Sequence, residues 1–80
     1  MVARVGSLHR VTAAGSIPTF TSWTSDFDPS GDDIARGDTF LVLSEPRPDP
    51  GGNMGVRVLT SQGVRWIFEM HSRACAEELS

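Results

Sequence analysis

The fold of this chain is decided by the stretch Val56-Arg57-Val58-Leu59-Thr60-Ser61-Gln62-Gly63-Val64-Arg65-Trp66-Ile67-Phe68. Apolar side chains recur at every second position on both sides of a short polar segment. A strand with one buried face produces this period of two, because successive side chains point to opposite faces of the sheet. The stretch therefore predicts two β-strands joined as a hairpin.

The register of this hairpin depends on the length of its loop. We expect a three-residue loop, residues 61–63, because it places Val58 opposite Trp66 and Val56 opposite Phe68. The apolar residues then share one face, whereas a two-residue loop would mix apolar and charged residues on each face. The last loop residue is a glycine, which adopts a left-handed conformation without the steric cost of a Cβ atom.

Length and composition indicate one soluble globular domain. The chain has 80 residues, of which 39% are hydrophobic and 21% charged, and this length leaves room for one core. Ten acidic residues against seven arginines, with no lysine, give a formal charge of −3, which disfavours binding of nucleic acid by charge alone. Cys75 is the single cysteine, so no intrachain disulfide forms. We see neither a secretory leader nor an apolar stretch of ~20 residues, and expect a cytoplasmic protein.

Segments outside the hairpin extend the β interpretation. Residues 2–12 predict a strand or an extended segment, with a helix as the alternative because their apolar residues are spaced by three, and residues 39–43 predict a strand buried on both faces. Residues 16–27 are rich in threonine and aromatic side chains. The segment 44–55 holds three prolines and three glycines, which predicts a flexible, exposed loop. Residues 72–79 predict a short C-terminal helix that begins at a serine cap.

Part of the chain resembles a known small β fold. Residues 36–79 contain Arg36-Gly37-Asp38 before the apolar run Phe40-Leu41-Val42-Leu43, then a Pro/Gly-rich loop and a hairpin with Trp66-Ile67. This order resembles the SH3-like barrel pattern. The chain lacks the tyrosines and the acidic specificity loop of peptide-binding members, so recognition of Pro-rich ligands is not implied. We expect a mainly β fold: a single SH3-like barrel, or a twisted antiparallel sheet of about five strands, with a short C-terminal helix.

An acidic segment suggests a calcium site. Asp26, Asp28, Ser30 and Asp32 place oxygen donors at alternate positions, and Gly31 suits a sharp turn, as in the first half of a calcium-binding loop. The second half does not fit, because a glycine stands at the twelfth position of that register, where a bidentate glutamate is required. The alternative is an acidic surface loop stabilised by local side-chain turns.

Two histidines and the cysteine are candidates for metal binding or catalysis. His71 and Cys75 are four residues apart, and His9 is the remaining ligand of this type. Structural zinc normally takes four such ligands, and the sequence supplies neither a signal for a depressed thiol pKa nor an oxyanion site. We therefore interpret these residues as structural and predict that the protein is not an enzyme and holds no cofactor, calcium excepted.

The predicted register defines a candidate binding surface. It places Arg57, Leu59, Arg65 and Ile67 together on the outer face of the hairpin. Either residues 2–27 fold over this face and bury it, or it is an exposed patch with the apolar-plus-arginine composition of interface centres. The same arginines with Arg47, Arg73 and Trp23 form a candidate nucleic-acid surface, which the acidic balance disfavours.

These observations predict a small non-enzymatic interaction module. Its expected partner is another protein or a second copy of the chain, as a homodimer, and not a membrane. Small domains of this kind resemble products of phages or mobile elements. A nucleic-acid-binding β-barrel and a calcium-stabilised binding module remain the alternatives.

Overall fold

We describe residues 5–12, 15–21, 23 and 33–79 in a computed structural model of the chain. These residues form six strands and one short helix, which confirms the mainly β class with a C-terminal helix. The elements are β1 (Leu8–Val11), β2 (Thr39–Val42), β3 (Arg47–Pro48), β4 (Met54–Thr60), β5 (Gly63–Phe68), α1 (Glu69–Ala74) and β6 (Ala76–Glu78).

All six strands belong to one antiparallel sheet. Along one edge β4 pairs with β5, and along the other it pairs first with β3 and then with β2. Next to β2 lies β1, and β6 forms the far edge beyond it. Within the described part of the chain β5 and β6 do not pair with each other. The sheet is therefore not closed into a barrel. Of the two predicted forms, an SH3-like barrel and a twisted antiparallel sheet, the structure shows the open antiparallel sheet.

The hairpin is confirmed, but its predicted register is wrong by one residue. Thr60 pairs with Gly63, so the loop consists of residues 61–62 alone, and Arg57 lies opposite Trp66. The loop is held by the Thr60 hydroxyl, which accepts a hydrogen bond from the Gln62 N–H at 3.0 Å and donates one to the Gly63 carbonyl at 2.9 Å. Because side chains alternate with a period of two, this shift exchanges the two faces of β5 relative to β4.

The core lies on one face of the sheet, which we call the inner face. Ile17 and Ile34 cover it and exchange backbone hydrogen bonds of 2.9 Å in both directions. Alternate residues of the central strands supply the rest. The buried core comprises Val11, Ile17, Ile34, Phe40, Val42, Val56, Val58 and Ile67. The opposite side of the sheet, which carries the intervening residues of each strand, is called the outer face.

The expectations for β1 and β2 are met in different degrees. A strand within residues 2–12 is confirmed as β1. The strand at residues 39–43 is confirmed as β2, but it is fully buried on one face only. Phe40 and Val42 enter the core, while Leu41 is half-buried and Thr39 is exposed on the outer face.

The C-terminal segment differs from its prediction. The helix begins at Glu69, immediately after β5, and ends at Ala74, so Ser72 lies inside it and donates its hydroxyl to the Glu69 carbonyl at 2.6 Å. Residues 76–78 form β6 against β1. Pairing with the edge of β1 and burial of Ala76 beside Val11 outweigh the intrinsic helix preference of alanine and glutamate.

The Pro/Gly-rich segment is also more ordered than predicted. It contains β3, and a tight turn follows in which Asp49 and Asn53 are tied together. The Asp49 N–H donates to the Asn53 carbonyl at 2.8 Å, and the Asp49 carboxylate accepts the Asn53 N–H at 2.8 Å. Gly52 takes a φ of +90° in this turn, which glycine adopts at low cost.

Candidate functional site: the outer face of the sheet

Five aliphatic side chains form a line across the outer face. Leu8 pairs with Leu41, Leu41 with Leu59, and Leu59 with Val64. Leu79 follows β6 directly and donates its N–H to the Leu8 carbonyl at 2.7 Å. Residues directly opposite each other on neighbouring strands share a face and contact one another. We call these five residues the aliphatic row.

The aliphatic row is largely open to solvent. Leu59 is 44% exposed, Val64 47% and Leu79 39%, whereas Leu8 and Leu41 are half-buried between their neighbours. Single exposed apolar residues are normal on protein surfaces, but a contiguous line of them marks an interaction surface more often than a bare surface.

A shallow groove runs along one side of the aliphatic row. It has a volume of about 360 Å³ and is lined by Leu8, Leu41 and Leu59. Its polar wall comes from the start of β2 and the end of β4, with Asp38 and Thr60 among its residues. The groove thus combines an apolar floor with one carboxylate at its end.

Three arginines project from the outer face around the aliphatic row. Arg10 is two residues from Leu8 on β1, and Arg57 is two residues from Leu59 on β4, on the opposite side of the row. Arg47 pairs with Gly55 at the β3 end. All three are exposed, and none forms an ion pair with a described carboxylate.

An aromatic cluster covers the other end of the outer face. Phe20 and Trp66 exchange backbone hydrogen bonds of 2.8 and 2.7 Å along the free edge of β5. Trp23 stacks on Trp66, with ring centroids 6.1 Å apart, and meets Phe68 edge to face at 5.0 Å. Its ring lies directly over Gly55, where a Cβ atom would approach Trp23 to 2.2 Å.

The predicted binding residues are divided between the two faces. Arg57 and Leu59 lie together on the outer face, as predicted, and the structure leaves both of them exposed. Ile67 is fully buried in the core, and Arg65 is half-buried on the inner face, so the predicted grouping of four is wrong. The cause is the register shift, since residues 65 and 67 pair with Val58 and Val56.

Sequence reasoning missed most of the aliphatic row. Val64 would have been assigned correctly with the loop at residues 61–62. Leu8, Leu41 and Leu79 belong to strands far apart in sequence, and only the strand order brings them into one line. The sequence left open whether this face is an exposed patch or is covered by residues 2–27. The structure shows an exposed patch at Leu59. At the aromatic end, Phe20 and Trp23 cover Trp66 and Phe68.

The candidate calcium ligands Asp26, Asp28, Ser30 and Asp32 lie outside the described residues, so the calcium hypothesis stays a prediction. Elsewhere in the described chain, no group of three or more His, Cys, Asp and Glu residues is arranged to hold a metal ion. His71 and Cys75 are linked through the backbone, by a Cys75 N–H to His71 carbonyl bond of 2.9 Å.

His9 is buried inside the fold and does not contribute to a surface site. It is buried on the inner face, its ring stacks on Phe40 with centroids 5.2 Å apart, and its Nε2 is 2.9 Å from the Ser7 hydroxyl oxygen. Burial lowers the pKa of His9, and the nearby Glu78 carboxylate partly opposes this change. Burial also lowers the pKa of His71. Both rings are therefore biased towards the neutral form.

Among the described residues, no helix combines the length and the apolar character needed to cross a membrane. The chain matches no protein-family model, no curated protein and no solved structure.

Proposed function

We propose that this protein is a non-enzymatic interaction module that binds another protein through the outer face of its sheet. The observation that carries the proposal is the aliphatic row, in which three large apolar side chains are at least 39% exposed along one line. Covering them with a partner removes apolar surface from water, which is the main driving force of protein association.

The size of the chain supports binding. A domain of 80 residues buries only about 60% of its unfolded surface and is marginally stable alone. A partner that binds only the folded state adds to its stability. The partner is another protein or a second copy of the chain, and a homodimer through the outer face is one form of the proposal.

The chemistry of the surface favours protein over nucleic acid as the partner. Single-stranded nucleic acids bind by stacking bases on open aromatic rings, but the exposed residues of the row are aliphatic. Trp23 stacks on Trp66 and also meets Phe20 and Phe68 edge to face, so its ring contributes mainly to packing.

Two further observations support the proposal. The Ser7–His9 pair has the composition of a nucleophile and base, but both residues are buried, which leaves a substrate no access in this conformation. The short helix directly after the β4–β5 hairpin agrees with the resemblance to SH3-like proteins, which we keep as part of the proposal.

The proposal is tested by affinity capture from the native host with three baits. These are the wild type, Leu59→Asp on the aliphatic row, and Met70→Asp, which changes an apolar residue on α1 that is also exposed (56%, against 44% for Leu59). We expect the wild type and Met70→Asp to form the same complex, either with another protein or as a dimer by light scattering, and Leu59→Asp to lose it. Identical behaviour of all three folded baits would contradict the proposal.

A further inference from the structure

We infer that the partner docks an acidic segment, with carboxylates beside its aliphatic side chains, on the aliphatic row. This inference rests on the proposed function and adds the chemistry of the partner to it. It follows from the arginines that stand beside the row on a chain whose formal charge is negative.

The charges of the protein are unevenly distributed. Arg10, Arg47 and Arg57 stand on the outer face, and Glu77, opposite Arg10, is the one acidic residue among the described strand residues of that face. Asp38 adds a carboxylate at the end of the groove. The chain as a whole carries a formal charge of −3. The described strand residues of this face thus carry a net positive charge on an acidic protein, which attracts partners of opposite sign.

The three arginines are exposed on the outer face. On α1, by contrast, the Arg73 guanidinium contacts the Glu69 carboxylate at 2.9 Å. No described carboxylate pairs with Arg10, Arg47 or Arg57. Arginine offers five N–H donors in a planar arrangement that matches a carboxylate, and it is enriched in protein interfaces.

The positions of two arginines define the shape of the segment. Arg10 and Arg57 stand on opposite sides of the aliphatic row, each two residues along its strand from a leucine, or about 7 Å. Five strands at a spacing of ~4.8 Å give the row a length of roughly 19 Å. The partner therefore presents an apolar stripe of this length with carboxylates on the side that meets Arg57, because Glu77 and Asp38 already lie near Arg10. A helix of about 13 residues has this length.

A second copy of the chain is a poorer occupant of this surface. In a two-fold dimer the same patch contacts itself, so two faces would meet that each carry three arginines against one glutamate among their described strand residues. Like charges brought together in this way oppose association. An acidic segment instead neutralises the arginines while its aliphatic side chains cover Leu59 and Val64.

The test uses two fluorescein-labelled, 14-residue helical peptides with the same leucine stripe. One carries glutamates beside the stripe and the other carries lysines. Binding is measured by anisotropy to the full chain and to three variants, and the contact surface is mapped by amide chemical shifts. Arg57→Glu reverses a charge beside the row, Leu59→Ser removes apolar contact, and Arg36→Glu makes the same charge change in the exposed turn before β2.

We expect the glutamate peptide to bind about tenfold more tightly than the lysine peptide, as several exposed charge pairs together provide. Arg57→Glu should abolish this preference and Arg36→Glu should retain it, with shifts centred on Leu41, Leu59 and Val64. Equal binding of both peptides, equal effects of the two arginine variants, or equally tight binding of a 14-residue oligothymidine would overturn the inference.

A failure of this inference is distinguishable from a failure of the proposed function. If Leu59→Ser weakens both peptides equally and no charge preference exists, the outer face binds protein without selecting acidic segments. If Leu59→Ser has no effect on either peptide, the outer face is not the binding surface and both proposals fail.

Discussion

Gly55 is the residue at which the packing of the outer face is most tightly constrained. It lies beneath the Trp23 ring, between Arg47 on β3 and Phe68 on β5. Any side chain there would have to displace the indole, whose Nε1–H also donates to the Asn53 carbonyl at 3.3 Å. The packing of Trp23 over the aromatic end of the sheet thus requires that residue 55 has no Cβ atom.

We predict that Gly55→Ala destabilises the protein by about 1–3 kcal/mol, the usual cost of overpacking. Its Cβ atom would stand 2.2 Å from Trp23, so the indole has to leave its position. Urea denaturation followed by tryptophan fluorescence measures the loss. Gly15→Ala is the control, because nothing lies within 4 Å of a Cβ at that position. Equal stability of the two variants would contradict the packing described here.

His9 makes the stability of the protein depend on pH. Burial lowers its pKa below the ordinary 6.5, so the unfolded state binds a proton more readily than the folded state. Stability is therefore greatest above about pH 6.5 and falls as the pH decreases through 6.5 towards the folded-state pKa. His71, whose pKa burial also lowers, acts in the same direction.

We predict that His9→Gln loses less stability than the wild type between pH 8 and pH 5.5. Glutamine does not titrate but still offers a polar group to Ser7, so the variant separates the protonation of His9 from the loss of its hydrogen bond. Urea midpoints at the two pH values give the comparison. An unchanged pH dependence in His9→Gln would show that His9 does not carry this effect.

At the scale of elements, the sequence predicts the β4–β5 hairpin but not its register. Both faces of the hairpin are apolar, because Phe20 and Trp23 form a second layer over Trp66 and Phe68. Alternation therefore identifies two strands without showing which residues face the core. Arg57 and Leu59 are assigned correctly because a one-residue shift of β5 leaves β4 unchanged.

Long-range pairing accounts for the other differences. Residues 76–78 read as a helix because alanine and glutamate favour helices locally, yet they complete the sheet against β1. The aliphatic row arises in the same way, since Leu8, Leu41 and Leu79 come together only through the strand order. No local pattern contains this information.

The corrected register makes a direct prediction about two residues of similar size. Ile67 is fully buried in the core, whereas Leu59 is 44% exposed on the outer face. Ile67→Ala should lower the free energy of unfolding by about 2–4 kcal/mol, and Leu59→Ala by less than about 1 kcal/mol. Chemical denaturation measures both. If both variants lost a similar amount of free energy of unfolding, Ile67 would lie on the outer face, as the three-residue loop requires, and the observed register would be contradicted.

For the molecule as a whole, the core lies on one face of the sheet, and we propose that the other face serves recognition. The inner face holds the core, with Ile17 and Ile34 over it. The outer face carries the aromatic cluster at one end and the open aliphatic row with its arginines at the other. A substitution on the row should therefore change binding with little effect on folding, which makes the proposal testable without loss of structure.

Photo-crosslinking in the native host tests the central claim most directly. A benzophenone side chain replaces Leu59 on the outer face in one variant and Met70 on α1 in another, and adducts are identified by mass. We predict a discrete protein adduct from position 59 and none from position 70. No adduct at position 59, or the same adducts from both positions, would contradict the assignment of the outer face as a protein-binding surface.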